Sequence, residues 1–517
     1  MKQFTYAILI FSLMGCNESF LDLHSKTELS SGNFWKTTKD VQIAVNGIYD
    51  VLQSRTLYGG SWNSTVSLVH YDSFGDNSWN RIRFEGPGFF IRGTLDPSEA
   101  LFRLLWQESY KGIARCNEAV ANIQKMLSDN LVDASAINEY LGQAYFLRAL
   151  FYFNLAVYYE DVPLILGVQS LDNAYVEKNS QREVLDQVIA DLESAIALLP
   201  LTYPESLYGY ATKGAANGLL ARVLLFDKQF GRAAEAALEV INSNNYDLDF
   251  PYENEFTYDG EFAKDIIFSV RFEEAAGFNT GEVFSVTNMS TPKWTHQALS
   301  NLVNDYYCAD GLSIAESPLY DAANPKMNRD PRLLSSVYFR GDVFIEDRNI
   351  IFTANDTGYG IKKYVRSKTT AKGAAVADPG GQDYYLIRYA DVLLMRAEAL
   401  IEDNQLTDEV YALINAVRNR VDMPAIEDVE GTGLSQDQLR KILRHERRVE
   451  LAFEGHRFFD LKRWGTVEEA YETLKADPVG FPDQSLVNYQ GRKSEVFPVP
   501  LTELDANPNL EQHDVWK

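Results

Sequence analysis

Three groups of residues in this sequence have types and spacings that can do chemistry: one N-terminal cysteine, a set of aromatics among amides and carboxylates, and a run of glutamates and arginines. Cys16 follows Leu13-Met14-Gly15. A lipidating transferase needs a thiol, and its peptidase needs small or apolar residues just before that thiol, so this is the pattern of a bacterial lipidation site. Lys2 and the apolar run 4–14 precede it. They read as the n- and h-regions of an export signal, shorter than the about 20 apolar residues a spanning helix needs. Residues 1–15 are therefore expected to be a signal peptide, with Cys16 lipidated and the mature chain held at a membrane; two or more acyl chains give a stable hold where one does not.

The aromatic set lies further along. Tyr58, Trp62, Tyr71 and Trp79 stand beside Asp72, Asp76, Asn77, Arg81 and Arg83. Sugar rings present apolar C–H faces that pack on aromatic rings, and their hydroxyls need paired donors and acceptors. Trp, Asp, Asn and Gly alternate here without an amphipathic period, so the cluster is read as a ligand-binding loop. Trp294, His296, Tyr306 and Tyr307 form a second set. For any one of these side chains core packing is the competing explanation. Trp35, Trp106 and Trp464 sit in helical or scaffold patterns and are read as core.

The charged run is His445-Glu446-Arg447-Arg448-Val449-Glu450 through Glu454. It begins like a zincin helix but has no second histidine at the fifth position, so zinc is rejected. A dinuclear carboxylate site would want Glu-x-x-His pairs on partner helices. Glu446, Glu450 and Glu454 at i, i+4 spacing, with Arg444, Arg447, Arg448, Arg457 and Arg463 around them, are expected to form an ion-pair network instead. No pair among the acidic residues is marked as a glycosidase pair, and no Ser/His/Asp order, phosphate loop or cysteine nucleophile stands out. The reading is no catalysis, no cofactor and no metal. Cys116 and Cys308 are one disulfide or two thiols; the helical pattern around Cys116 favours thiols.

The elements that must position these residues are mostly helical. The chain has 517 residues, 46% of them hydrophobic, with 29 Phe and 29 Tyr, enough for a large core. Its net charge of −25 argues against nucleic acid and against electrostatic adhesion to anionic lipid. Thr37-x-x-Asp40 and Ser435-x-x-Gln438 are capping boxes. Periodicity predicts helices over 41–52, 99–127, 136–159, 182–199, 212–226, 232–242, 384–402, 409–421 and 435–454. It fails over 58–97, which reads as a long loop, and over 246–364, which has short β-favouring runs at 266–270 and 350–352. Residues 367–383 read as a linker, and the tail from 478 as irregular. An arginine recurs in Phe146-Leu-Arg148-Ala, Leu220-Ala-Arg222-Val and Leu394-Met-Arg396-Ala. That echo resembles the helix-pair logic of tetratricopeptide repeats and predicts a stacked helix-pair scaffold. The expected organisation is 16–245 as a helical N-terminal region with the loop insertion at 58–97, and 246–517 as a second region. The latter divides into a variable middle (246–383), a helical scaffold (384–465) and an irregular tail (466–517).

Several segments together resemble the SusD/RagB family of nutrient-binding lipoproteins. They are Phe20-Leu21-Asp22, Asn33-Phe34-Trp35, Asn46-Gly47-Ile48-Tyr49, Asp161-Val162-Pro163-Leu164, and Tyr210-Ala-Thr-Lys213-Gly-Ala-Ala. In the second half come Leu386-Ile-Arg388-Tyr-Ala-Asp391, the long run from His445 to Trp464, Phe497-Pro-Val-Pro500 and Asn507-Pro508-Asn509-Leu510. The resemblance implies a mostly α fold, with tetratricopeptide-like pairs carrying an irregular, loop-rich variable face. It also implies a non-catalytic, surface-exposed, outer-membrane lipoprotein that captures glycan and hands it to a partner TonB-dependent transporter. In starch-binding members, loops from the part of the chain holding Tyr58 to Arg83 contribute to the sugar site. On sequence alone three other readings stand: peptide or glycoprotein-derived cargo with the same transporter, a helical-repeat scaffold that binds only protein, and an unrecognised glycoside hydrolase.

Overall fold

The computed structural model describes residues 34–60, 67–80, 86–274, 281–285, 296–353, 356–368, 379–476 and 486–517. The first capping box opens α1 (Thr38–Leu52): Thr37 Oγ1 accepts from the Asp40 amide, and Asp40 Oδ2 accepts from the Thr37 amide. Two orphan donors are thus satisfied where the helix has no preceding turn. Then follow α2 (Ala100–Ser128), α3 (Ala134–Tyr158), α4 (Gln181–Leu198), α5 (Lys213–Phe226) and α6 (Phe230–Asn242). The second half adds α7 (Tyr389–Glu402), α8 (Asp408–Asn419), α9 (Gln436–Glu450), opened by the second capping box, and α10 (Arg457–Trp464).

Each helix from α1 to α8 packs on its neighbour in sequence, so the chain stacks as a ribbon in which α7 continues directly from α6. α3 is buried along nearly its whole length, as a helix apolar on every face must be. Gly112 lets α2 approach it closely; a Cβ there would lie 2.3 Å from Phe151 Cζ. The recurring arginines tie the stack together. Arg148 on α3 grips Asp191 on α4 through two bonds of 2.7 Å, and Arg396 on α7 reaches Glu409 on α8 at 2.6 Å. Arg222 departs from the echo: it leaves its pair and bonds Asp391 on α7 at 2.7 Å. Cys116 and Cys308 are buried free thiols.

Six strands matter to the site: β1 (Ser78–Asn80), β2 (Ile266–Val270), β3 (His296–Ala298), β4 (Val337–Phe339), β5 (Tyr359–Ile361) and β6 (Tyr384–Arg388). β1, β3, β5 and β4 form one antiparallel sheet in that order, and β2 pairs with β6. Three expectations are corrected. Residues 384–388 are strand rather than the start of a helix, because a short run buried on both faces carries no period that tells strand from helix. Segment 58–97 is not one loop: it holds a 3-10 turn at Leu68–Phe74, β1, and a helix at Gly86–Arg92. And α9 ends at Glu450, so Glu454 reaches the charged cluster from the following turn, where Phe453 and Gly455 take positive φ.

One hydrophobic core spans the helix stack and the second half. Its aromatic centre joins Phe74 to Phe90, Phe458 and Phe497 at ring distances of 4.6, 5.5 and 6.0 Å, which is why the tail returns to the middle of the protein. Trp106 is buried, and Trp464 donates from Nε1 to Glu398 at 2.7 Å. Among the described residues no helix is long and apolar enough to cross a membrane.

Candidate functional site

The two aromatic sets, more than 200 positions apart, are joined by one strand ladder. Ser78 pairs with Ala298, Trp79 with Gln297, and Asn80 with His296. The last pair lies one residue before Arg81 on one strand and two residues after Trp294 on the other. Trp62, Arg81, Arg83 and Trp294, like Cys16, lie outside the described residues.

Most of the remaining expected contacts are interior, which corrects their reading as open ligand contacts. Tyr71 is fully buried, edge-on to Phe74 at 4.6 Å and Tyr158 at 4.9 Å. Tyr58 is buried too: its hydroxyl accepts from Asn154 Nδ2 at 3.0 Å, and burial lifts its pKa to about 12. It lines, with Asn154, Arg222 and His456, a cavity of about 60 Å³ between α3, α5 and β6. Asp72 accepts from the amides of Phe453 (2.6 Å) and Arg457 (3.1 Å) and from Asn77 Nδ2 (3.3 Å). Burial outweighs these bonds and raises its pKa. Asp76 is also desolvated, but Arg448 and Arg457 together hold it well below the usual carboxylate range; Arg457 meets it at 2.6 and 2.9 Å. Trp79 lies under the Arg92 guanidinium, 5.1 Å from its ring centre. Tyr306 is fully buried and donates to the Val449 carbonyl at 3.2 Å. Tyr307 is partly buried and stacks on His445 at 3.8 Å.

The physical reason is the origin of the partners. Alternation of aromatic and polar residues without a period describes a solvated loop, and equally a segment whose polar groups are met inside by distant chain. Here the second holds, and the supplier is the charged run. Arg448 on α9 donates to Asn77 Oδ1 (2.9 Å), Asp305 Oδ2 (2.9 Å) and Asn301 Oδ1 (2.8 Å). One side chain thus fastens the segment ending in β1 to the helix that follows β3.

Behind the ladder sits a cavity of about 40 Å³ lined by His70, Asp72, Ser73, Ser78, His296 and Lys363, among others. The rings of His70 and His296 stack at 4.2 Å with 17° between their planes, and His296 Nδ1 is 3.0 Å from Ser73 Oγ. Burial drives the His70 pKa down to about 3 and that of His296 well below its usual value, so both are neutral. His70 was missed by the sequence reading; its only signal was the Val69-His70-Tyr71 context inside the aromatic segment.

Glu446, Glu450 and Glu454 do enter an ion-pair network, but their partners come from elsewhere in the chain. The neighbouring Arg447, Arg448, Arg457 and Arg463 pair instead with Asp391, Asp460, Asp76, Asp305 and Glu398, which corrects the expected pairing. In the glutamates' network, Arg332 meets Asp330, Glu446 and Glu450 at 2.7, 2.6 and 3.1 Å; Arg388 meets Asp265, Glu450 and Glu454 at 2.7, 3.0 and 2.7 Å. Arg418, Arg420 and Lys363 complete it, all nearly or fully buried. Among the described residues no group of three or more His, Cys, Asp or Glu is placed to hold a metal ion.

The sequence model of the SusD family matches residues 264–516, and a model described as starch-binding associating with outer membrane matches residues 19–225. Among curated relatives, SusD-like protein P2 of Formosa agariphila is 28% identical over 537 residues, covering 99% of both chains. SusD-like protein P38 of the same organism is 27% identical over 551 residues, again with 99% of both covered. A solved SusD-like carbohydrate-binding protein from Bacteroides fragilis superposes with a TM-score of 0.80 at 26% identity, over 92% of this chain and 100% of that one. A laminarin-binding SusD-like protein superposes with a TM-score of 0.72 at 25% identity, over 92% of this chain and 99% of that one. With both halves matched and the helix stack shared with solved members, the chain belongs to the SusD family.

Proposed function

We propose that this protein is a cell-surface glycan-capturing lipoprotein: lipid on Cys16 anchors it to the outer membrane, and it passes oligosaccharide or polysaccharide to a SusC-like TonB-dependent transporter without cleaving it. The observation that carries the reading is the β1–β3 ladder. It puts the chain positions next to Arg81 and Trp294 on adjacent strands, and we take those two residues as contacts for one sugar ring. Trp62, Arg83 and Tyr307 are the further contacts, and the buried Asp72, Asp76, Asn77 and His296 hold the floor in place. A rigid floor lowers the ordering cost that otherwise opposes binding. The carbohydrate-binding and laminarin-binding relatives support a glycan rather than a peptide as cargo.

A glycan array probed with the unlipidated mature chain tests this. The expected result is retention on one related set of glycans, with their chain lengths unchanged after overnight incubation. Shortened products would contradict the non-catalytic part, and a blank array the capture itself.

A further inference from the structure

Away from the ladder, one exposed aromatic is built into a rigid frame. Phe262 is 56% exposed, the most open phenylalanine side chain among the described residues. Its ring lies 4.9 Å from that of Tyr208, and the Arg271 guanidinium sits 5.0 Å from the Phe262 ring centre and 4.9 Å from that of Tyr208. Every member is held. Tyr208 donates to the Glu261 carbonyl at 2.9 Å, and Arg271 Nε meets Asp383 Oδ2 at 3.1 Å. Gly209, at φ +105°, leaves room for the arginine stem: a Cβ there would be 2.7 Å from Arg271 Cγ. Arg271 Nη1 is itself buried and meets no acceptor among the described residues, whereas the arginine side chain as a whole stays 35% exposed.

This frame has what a neutral pyranose needs. It offers an open aromatic ring for the C–H side of the sugar, a fixed and partly exposed arginine side chain beside it for a hydroxyl, and little ordering cost because its parts already hold one another. A protein partner would want a wider apolar surface; here one ring is open and its neighbours are charged or partly covered. We infer that Phe262, Tyr208 and Arg271 form an accessory glycan subsite, distinct from the ladder and contacting a second ring of the same polysaccharide or a second chain. The inference rests on the glycan-capture reading and adds a second point of contact to it.

Affinity electrophoresis of the unlipidated mature chain through gels containing laminarin, or in turn other neutral polysaccharides, tests it. Phe262→Ala is expected to need about three- to tenfold more polysaccharide for equal retardation. Phe262→Tyr, which keeps the ring, is expected to match the parent, and the melting temperature of both variants to stay within a degree or so of it, since the side chain is mostly open. Equal retardation of parent and Phe262→Ala would overturn the accessory subsite and leave glycan capture standing. Retardation of neither by any polysaccharide would overturn glycan capture and the subsite with it. Loss of mobility shift in Phe262→Ala accompanied by a fall in melting temperature of several degrees would assign the ring to packing and overturn the subsite.

Discussion

Arg448 on α9 donates from Nε to Oδ1 of Asn77 at 2.9 Å, across 371 positions of sequence. Its other nitrogens meet Asp305 and Asn301, so a motif in the last quarter of the chain sets the position of both segments proposed to carry the sugar contacts. Removing one partner of a nearly buried, hydrogen-bonded charge set leaves the others desolvated and unpaired. Arg448→Ala is expected to lower unfolding stability by about 3 kcal/mol, read from urea unfolding. Glycan affinity should fall with it, whereas Arg448→Lys restores only part of either, because an ammonium's donors sit on one atom and cannot reach acceptors spread around the three nitrogens of the guanidinium.

The stacked histidines give a pH dependence with a definite sign. An unfolded imidazole takes up a proton near pH 6.5, whereas His70 in the fold does so only at about 3. Between those values the unfolded state binds more protons, so stability falls as pH falls, by at most about 1.4 kcal/mol per pH unit for each such group. His296 acts in the same direction, as do His456 and His513, both held near 4. His70→Phe, which keeps the stack, should flatten the decline of melting temperature between pH 6.5 and 4. An unchanged slope would place the protonation elsewhere.

Charge counting in the ion-pair network singles out one proton. Among the described residues Arg332, Lys363, Arg388, Arg418 and Arg420 face Glu255, Asp265, Asp330, Glu446, Glu450 and Glu454, one carboxylate more than the cations. Burial, then the neighbouring Asp265, pushes the Glu255 pKa well up, so the surplus group is held as the acid. A raised carboxyl pKa gives stability that is full below the unfolded value and is lost as pH rises toward the folded one. Glu255→Gln should therefore be as stable as the parent or more so at pH 8, by about 1 kcal/mol. Glu450→Gln, which strips a charge that Arg332, Arg388 and Arg420 all face, should lose about 3 kcal/mol. Parallel chemical unfolding of the two variants checks the assignment.

The buried thiols make a simpler prediction. Burial pushes the Cys116 thiol far above its usual pKa, and both cysteines are shielded from solvent. Iodoacetamide should label neither in the native, unlipidated mature chain and both after unfolding in urea. Reductant should leave the melting temperature unchanged. Mass spectrometry of the two samples reads the first outcome directly.

What the sequence made legible was the local part. The capping residues at Thr37 and Ser435, the helical runs of α1 to α6, and the arginines that tie α3 to α4 and α7 to α8 depend on neighbours within a few turns or on one repeated pattern. What it hid depends on distant chain. Asp72, Asp76 and Asn77 look solvated until Phe453, Arg448 and Arg457 arrive to pair with them. Residues 384–388 look helical until β2 claims them as its partner. Phe262 drew no notice, because nothing in the run Gly260-Glu261-Phe262-Ala263 tells an exposed ring from a buried one; Tyr208 and Arg271 do that only in three dimensions.

Arg81 and Trp294, next to the paired ends of β1 and β3, are the proposed glycan contacts. Isothermal titration of the parent, Trp62→Ala and Trp294→Ala with a glycan retained on the array addresses this assignment most directly. Trp294→Ala is expected to weaken binding by about tenfold or more and Trp62→Ala by a smaller factor, with unfolding midpoints within a degree or so of the parent's. Parent-like affinity in both variants, or a loss matched by an equal loss of stability, would contradict the assignment.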